Sequence, residues 1–305
     1  MRILENTSFN FIGKRKLGFI ASGIMLSVSL VSFALFGLEL GVDFLGGTEF
    51  VVRLEQEVSS ADVSATLGDA LGDAPEVKTY GQSSDLLIRS SIGGDINELE
   101  NRLVDAIDAA YPGSNTQVLS TNSVGPRIAD DLKSGAILAV LFSLGIILAY
   151  IWIRFAWRFG VGAVAALAHD VTIVLGVFSL LHEFVPFELE INQVIIGALL
   201  TIVGYSLNDT VVVFDRIREY SSVYKTVDYE GMVNRAINST LSRTIVTSGT
   251  TFIVVLVLFL FGGEVLSGFA FALILGILIG TYSSIFVASP IVVELHNRTT
   301  KKVVA

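Results

Sequence analysis

Asp209 is the one charged residue in the run 191–214, which is long enough to cross a bilayer. Arg243 stands just before the next apolar run, and His169-Asp170 falls inside an earlier one, 159–181. An Asp or Arg at the centre of a membrane helix costs roughly 2.5–3.5 kcal/mol on insertion scales. A chain keeps such a group when it is paired, hydrated or used, so the chemistry indicated is a proton or ion relay inside a membrane transporter. An arginine near Asp209 favours its ionised form and desolvation disfavours it, so moving either group changes proton affinity. A purely structural ion pair between Asp209 and Arg243 is the competing reading. For His169-Asp170 a packed, hydrogen-bonded pair stands beside a part in the proton path. Asn208, Thr210, Ser206 and Tyr205 flank Asp209 and are read as its hydrogen-bonding or water-holding support.

The elements that must position these groups are membrane helices. Hydrophobic residues make up 52% of the chain and charged residues 16%, with a mean hydropathy of +0.69, whereas a soluble domain usually carries about 25% charged residues. Six apolar segments, about 17–38, 134–153, 159–181, 191–214, 244–263 and 265–293, each reach the ~20 residues that a helix needs to span ~30 Å of hydrocarbon. The last is longer than required and is expected to tilt or turn at Pro290. The first is too long for a signal-peptide core and lacks an A-x-A-like site after it, so it reads as a retained anchor. Asp209 lies ~27 Å along its helix from Ile191, and Arg243 opens the next helix at a similar depth, so the two are expected to face each other.

Orientation follows from the loops. Arg2, Lys14, Arg15, Lys16, Arg154, Arg158, Arg216, Arg218, Lys225, Arg235, Arg243, Arg298, Lys301 and Lys302 all fall on one side, together with both termini and the loop 215–243. The short loops on the opposite side, 181–190 and 262–265, contain no Lys or Arg and are acidic. By the positive-inside rule both termini, 1–38 up to its helix and the tail 294–305, are cytoplasmic. The long segment 39–132 then lies outside, with 17 acidic and 5 basic residues; its local net of −12 leaves +3 for the rest of a chain whose total is −9. The acidity is read as a solvated surface, with steering of polypeptide or a saline habitat as alternatives.

That exterior segment is long enough to fold. Strands are expected at 48–56, 76–80, 85–90 and 116–122, with a turn at Gly81-Gln82-Ser83. One helix follows Ser59, with Val63, Leu67, Ala70 and Leu71 on a face. The other follows Asp95, which with Glu98 resembles a capping box, and aligns Ile96, Leu99, Leu103, Ile107 and Ala110. The order is β-α-β-β-α-β, the ferredoxin-like arrangement. The fold class is thus a polytopic α-helical membrane protein of six helices with an α+β domain between the first and second. Gly46, Gly47 and Pro126 read as hinge or loop positions on either side of it.

Small residues recur every four positions at Gly268, Ala272, Gly276, Gly280, Ser284 and Ala288, a stripe suited to close helix packing. Residues 228–242 place Met232, Val233, Ala236, Ile237 and Leu241 on one face, as an interfacial amphipathic helix does. Enzyme readings fail on particular residues. Gly204-Tyr205-Ser206 lacks the Gly two positions later that an intramembrane serine protease needs, since residue 208 is Asn; the one later His is His296. His182-Glu183 has no second His for H-E-x-x-H, and there is no Walker A motif. Without cysteine no disulfide or thiolate metal site can form, and no metal or cofactor is expected.

Five blocks carry a resemblance: GVDFLGGT (41–48), SVGP (123–126), GYSLNDTVVVFDRIRE (204–219), LSRTIVTSGTT (241–251) and FGGEVLSGFAFALILGILIGTYSSIFVASP (261–290). In this order, over nearly the whole chain, they closely resemble the SecF family, the smaller membrane subunits of bacterial SecD–SecF export complexes in the resistance-nodulation-division superfamily. The resemblance implies a non-enzymatic subunit of the cytoplasmic (inner) membrane. With SecD as heterodimer partner, it would use the proton motive force to complete preprotein translocation through SecYEG after the ATP-driven steps. It further implies YajC and, indirectly, SecA as partners, contact with unfolded preprotein and membrane lipid, and none with nucleic acid. By motif match the relay Asp and Arg are Asp209 and Arg243, and another essential Asp belongs to SecD. The alternative is a half-size proton-coupled exporter of a small molecule or lipid from the same superfamily.

Overall fold

A computed structural model describes residues 7–304 apart from 73, 92–94, 186 and 225–226, with the backbone alone over 300–304. Arg2 and Lys225 of the basic set, and the side chains of Lys301 and Lys302, lie outside the described residues. The chain forms two compact units: one of residues 1–38, 139–181 and 194–305, the other of 39–138 and 182–193.

The first unit is helical. A 3₁₀ turn, Ile12–Lys14, leads into α1 (Arg15–Leu35); α5 (Pro126–Arg154), α6 (Trp157–Leu181), α7 (Gln193–Val223), α8 (Tyr229–Phe261) and α9 (Glu264–Ser283) follow later in the chain, the ends of α5 and α7 being shared with the second unit. Among the described residues six helices are long and apolar enough to cross a membrane. Burial inside this unit is carried by α6, α7 and the last helix, while large apolar side chains such as Phe142, Trp152 and Ile153 of α5 and Ile253, Val254 and Phe261 of α8 are exposed. Outward apolar surface of this kind suits lipid rather than water. At one end Phe155, Phe159 and Phe214 stack edge-on over a core of Ile217, Met232, Ile237 and Val292. Arg15 bonds Glu230 and Glu294 there.

Three details differ from the sequence expectations. α7 runs on to Val223, and α8 begins at Tyr229 after its N-cap Asp228, which accepts from Gly231 N at 2.8 Å. The amphipathic stretch 228–242 is therefore the first half of α8. Met232, Val233, Ala236, Ile237 and Leu241 are buried in the helical unit instead of lying on a membrane surface. The last helix does not turn at Pro290: α9 passes through a π-helical turn, Ser284–Ala288, into α10 (Ser289–Val304). The wider turn relieves the clash a proline ring makes with the preceding turn. Ser289 Oγ reinforces it by donating to the Ser284 carbonyl, five residues back, at 2.8 Å.

The second unit is an antiparallel sheet with two helices. The short α2 (Val42–Leu45) precedes β1 (Gly47–Arg53), α3 (Ser60–Leu71), β2 (Glu76–Tyr80), β3 (Gln82–Ser90), α4 (Ile96–Ala110) and β4 (Gln117–Val124), and the sheet order is β2-β3-β1-β4. Alternate strand residues Phe50, Val52, Leu86 and Ile88 meet Val63, Leu67, Leu71, Leu99, Leu103 and Ile107 of the helices. Ile96 and Ala110, expected on the same stripe, and Ala70 on the other, are exposed at the helix ends. Asp95 caps α4 by accepting from Asn97 N at 2.8 Å.

The two glycine–proline blocks form one structure rather than two separate hinges. Gly47 pairs with Val124 and Thr48 with Ser123, whose hydroxyls lie 2.9 Å apart. Gly46 and Gly47 have φ of +75° and +120°, and a Cβ on Gly47 would come within 2.8 Å of the Ser90 carbonyl. Positive φ and that close approach both demand glycine.

Candidate functional site

The polar groups of the helical unit converge on the point where the last helix departs from α geometry. α6 brings His169 and Asp170, α7 brings Ser206 and Asp209 one turn apart, α8 brings Thr244, and Ser283 and Ser284 straddle the junction of α9 with the π turn. Asp209 is half-buried and accepts from Thr244 Oγ1 at 2.6 Å through Oδ1 and from Ser284 Oγ at 2.5 Å through Oδ2. Bonds of this length to a carboxylate are the strong, charge-assisted kind. Ser284 Oγ also has the Thr281 carbonyl of its own helix at 3.1 Å. With one hydrogen, the hydroxyl donates to only one of the two acceptors fully.

Asp170 is fully buried. Its Oδ1 lies 2.9 Å from His169 Nδ1, and its Oδ2 accepts from Ser206 Oγ at 2.6 Å and Ser283 Oγ at 2.7 Å. His169 stacks on Tyr282, whose hydroxyl donates to the Gly18 carbonyl of α1 at 2.8 Å.

Several sequence expectations change at this site. Among the described residues Asp209 and Arg243 form no ion pair within 4.0 Å, although Arg243 stays within electrostatic reach. Because α8 is helical through this region, successive side chains are rotated by about 100°, so the face that meets α7 carries Thr244 and not Arg243. Arg243 is exposed and lines a cavity of about 320 Å³ with Arg154, Asp215, Arg216 and Glu219. None of the flanking residues supports Asp209 directly: Asn208 is exposed, Ser206 serves Asp170, and the buried Thr210 Oγ1 and Tyr205 hydroxyl have no partner. In the small-residue stripe, a Cβ on Gly276 would fall 2.3 Å from Ile202, and one on Gly280 would fall 3.0 Å from Ser206. Ser284 belongs to that stripe and is also the Asp209 ligand. The available signal was the cluster of hydroxyl residues at 281–284 in an otherwise apolar helix.

A second charged cluster, in the αβ unit, was not read from the sequence at all. Arg89 bonds Glu190, Glu49 (3.2 Å) and Glu76 (3.0 Å), and Lys78 bonds Glu39 and Glu76 (2.9 Å). Burial works against the Arg89 charge, but Glu190 and Glu49 outweigh it and hold its pKa above the usual range. Burial, then the charges of Glu190 and Glu49, push Glu188 up to about 8. One oxygen each of Glu49, Glu188 and Glu190 lie within 4.8 Å of one another. The residues come from position 39 before α2, from β1, β2 and β3, and from the segment 182–193, so no local motif announces them.

Comparison with known proteins places the chain in a family. Residues 105–298 match the family model of the protein export membrane protein SecD/SecF C-terminal region, and residues 31–58 match the SecD/SecF GG motif. The protein translocase subunit SecF of Rhodothermus marinus is 57% identical over 302 residues, covering 99% of this chain and 98% of that one. Its counterpart in Desulfurispirillum indicum is 42% identical over 296 residues, covering 94% and 92%. The crystal structure of SecDF, a translocon-associated membrane protein from Thermus thermophilus, superposes with a TM-score of 0.85 at 38% identity. It covers 96% of this chain, which spans 39% of that longer one.

Proposed function

We propose that this chain, which belongs to the SecD/SecF family of protein-export membrane proteins, is a SecF-type auxiliary subunit of the Sec export machinery that works through proton exchange at Asp209. It acts with SecD in the bacterial cytoplasmic membrane, driving the late stage of preprotein movement through SecYEG, with YajC and SecA as more distant partners. Both termini are cytoplasmic, and the αβ unit lies outside. The β-α-β-β-α-β element order and the strand order β2-β3-β1-β4 support a ferredoxin-like reading of that unit.

The observation that carries the proposal is the way Asp209 is held. An ionised carboxylate accepts from Thr244 and Ser284, which come from two other helices. On gaining a proton Asp209 becomes a donor. The Ser284 hydroxyl then turns its hydrogen to the Thr281 carbonyl, and the link between α7 and the π turn changes character. π turns are frequent at functional sites, and this one places the responding group in a segment already spliced into a second helical geometry. Moving a unit charge through 100 mV supplies ~2.3 kcal/mol, enough to bias a two-state equilibrium about fiftyfold. Arg243 tunes Asp209 through its charge.

In membrane vesicles containing the chain, its SecD partner and the translocation channel, Asp209→Asn is expected to abolish the stimulation of preprotein export by a proton gradient. Arg243→Met is expected to weaken it strongly. Stimulation at the normal rate in a properly inserted Asp209→Asn chain contradicts the proposal. Proton-driven activity without any SecD partner points to a stand-alone exporter instead.

A further inference from the structure

Asp170 has no part in the mechanism above, yet it is the most completely buried acid of the helical unit. An ionisable group this far from water is retained for a purpose or neutralised by its partners. Its partners are specific. Two hydroxyls on different helices and the neighbouring imidazole converge on it, and the Nε2 of that imidazole is buried with no partner, a vacant position for a donor or acceptor.

The connection to Asp209 lies in the last helix. Ser283 donates to Asp170 at 2.7 Å and the next residue, Ser284, donates to Asp209 at 2.5 Å. Each serine also has a carbonyl of its own helix within reach, Gly280 at 3.2 Å and Thr281 at 3.1 Å. The two acids thus compete with equivalent carbonyls for hydrogens on consecutive residues, at the π turn. A second link runs through α7, where Ser206, the other hydroxyl on Asp170, sits one turn before Asp209.

We propose that Asp170 is a second proton-exchanging carboxylate of this chain, coupled to Asp209 through the consecutive hydroxyls of Ser283 and Ser284. The inference rests on Asp209 being a proton site. When Asp209 takes a proton from the aqueous side, its new O–H donates to Ser284 Oγ, and the Ser284 hydrogen passes to the Thr281 carbonyl. When Asp209 releases its proton, two like charges face the same pair of serines, and Asp170 is the group that responds. It takes the Nδ1 proton of His169 as a proton is delivered to the vacant Nε2, leaving neutral imidazole in its other tautomer, and Ser283 turns its hydrogen to the Gly280 carbonyl. No atom leaves the chain in that second step. The groups that face the pair among the described residues are His169 of α6, Ser206 of α7, Thr244 and the more distant Arg243 of α8, and Tyr282, Ser283 and Ser284 of the last helix; α1 reaches it only through the bonds of Gly18 and Ser22 to Tyr282.

Coupled acids titrate as a pair, so a change at one displaces the apparent midpoint read at the other. The test is gradient-driven export from vesicles holding the full chain and its SecD partner, measured against pH. Asp170→Asn is expected to move the midpoint of the profile by about one pH unit, tenfold in proton concentration. Ser283→Ala keeps both carboxylates and is expected to move it in the same direction by less. It serves where Asp170→Asn fails to insert. A merely structural Asp170 lowers the rate equally at every pH. A midpoint unmoved in both variants, with Asp209→Asn inactive, overturns the coupling and leaves Asp209 as the single proton site. Full stimulation in Asp209→Asn instead removes the reading on which the coupling stands.

Discussion

A carboxylate held by two hydroxyls changes partners when it gains a proton, whereas one locked to a guanidinium resists protonation and stays put. Asp209 is of the first kind, and Arg243, whose charge reaches it, is left on the wall of a solvent-accessible cavity. Ser284→Ala removes the donor that reports protonation to the last helix; a bond to a charged group contributes about 1.5–3 kcal/mol, so gradient-driven export is expected to fall about tenfold or more while Ser284→Thr retains most of it. Equal rates in Ser284→Ala and the parent chain would show that the contact is incidental. The αβ unit offers a separate pH signature. Glu188 has an ordinary value of 4.5 and is pushed up to about 8 in the fold, so the folded state holds more protons between those values. Its contribution to stability is complete below about 4.5 and is lost as pH rises through about 8. Thermal unfolding of the whole chain in detergent is expected to occur at progressively lower temperature across that window, and Glu188→Gln to remove the slope; the same slope in both chains would exclude Glu188 as its cause. The costly charges Asp209, Arg243 and Asp170 were legible residue by residue, because cost in an apolar run is a local property. Their partners were not, since Thr244, Ser283 and Ser284 are ordinary residues until four helices meet.

The helices were legible as elements, because length and apolarity alone decide what spans a bilayer, but two features of their paths were not. Residues 228–242 look amphipathic whether their apolar face meets lipid or the buried Met232–Leu241 face of a continuing α8, and sequence periodicity does not distinguish the two. Pro290 ordinarily signals a turn, and here the π turn absorbs it, with Ser289 bonding back to Ser284. Pro290→Ala permits an ordinary α turn and is expected to draw Ser284 away from Asp209, depressing proton-driven export in a chain that still inserts and folds. Export at the parent rate would separate the π turn from the mechanism. The close helix contacts make a steric prediction: a Cβ on Gly176 would lie 2.6 Å from the Ser29 backbone, and one on Gly276 would lie 2.3 Å from Ile202. Gly176→Ala is expected to destabilise the chain by about 1–3 kcal/mol, read as earlier unfolding in detergent, because backbone cannot yield as a flexible side chain can. Gly276→Ala, which meets side-chain atoms of the buried Ile202 and no backbone, is expected to cost less, and the reverse order would contradict the packing.

At the scale of the whole molecule, net charge is divided between the parts: the segment 39–132 carries −12 and the remainder +3. The glycine blocks that flank that segment are far apart in sequence and adjacent in space, so a chain read from one end to the other shows two hinges where the fold has one paired edge. The chain spans 39% of the longer Thermus thermophilus SecDF chain on which it superposes. The central claim, that Asp209 carries a proton across during export, is tested most directly by following proton movement itself. Vesicles containing the chain and SecD, loaded with a pH-sensitive dye and engaged in preprotein export under a gradient, are expected to show an export-dependent pH change that disappears in Asp209→Asn and survives in Asn208→Ala. An undiminished pH change in Asp209→Asn would contradict the account.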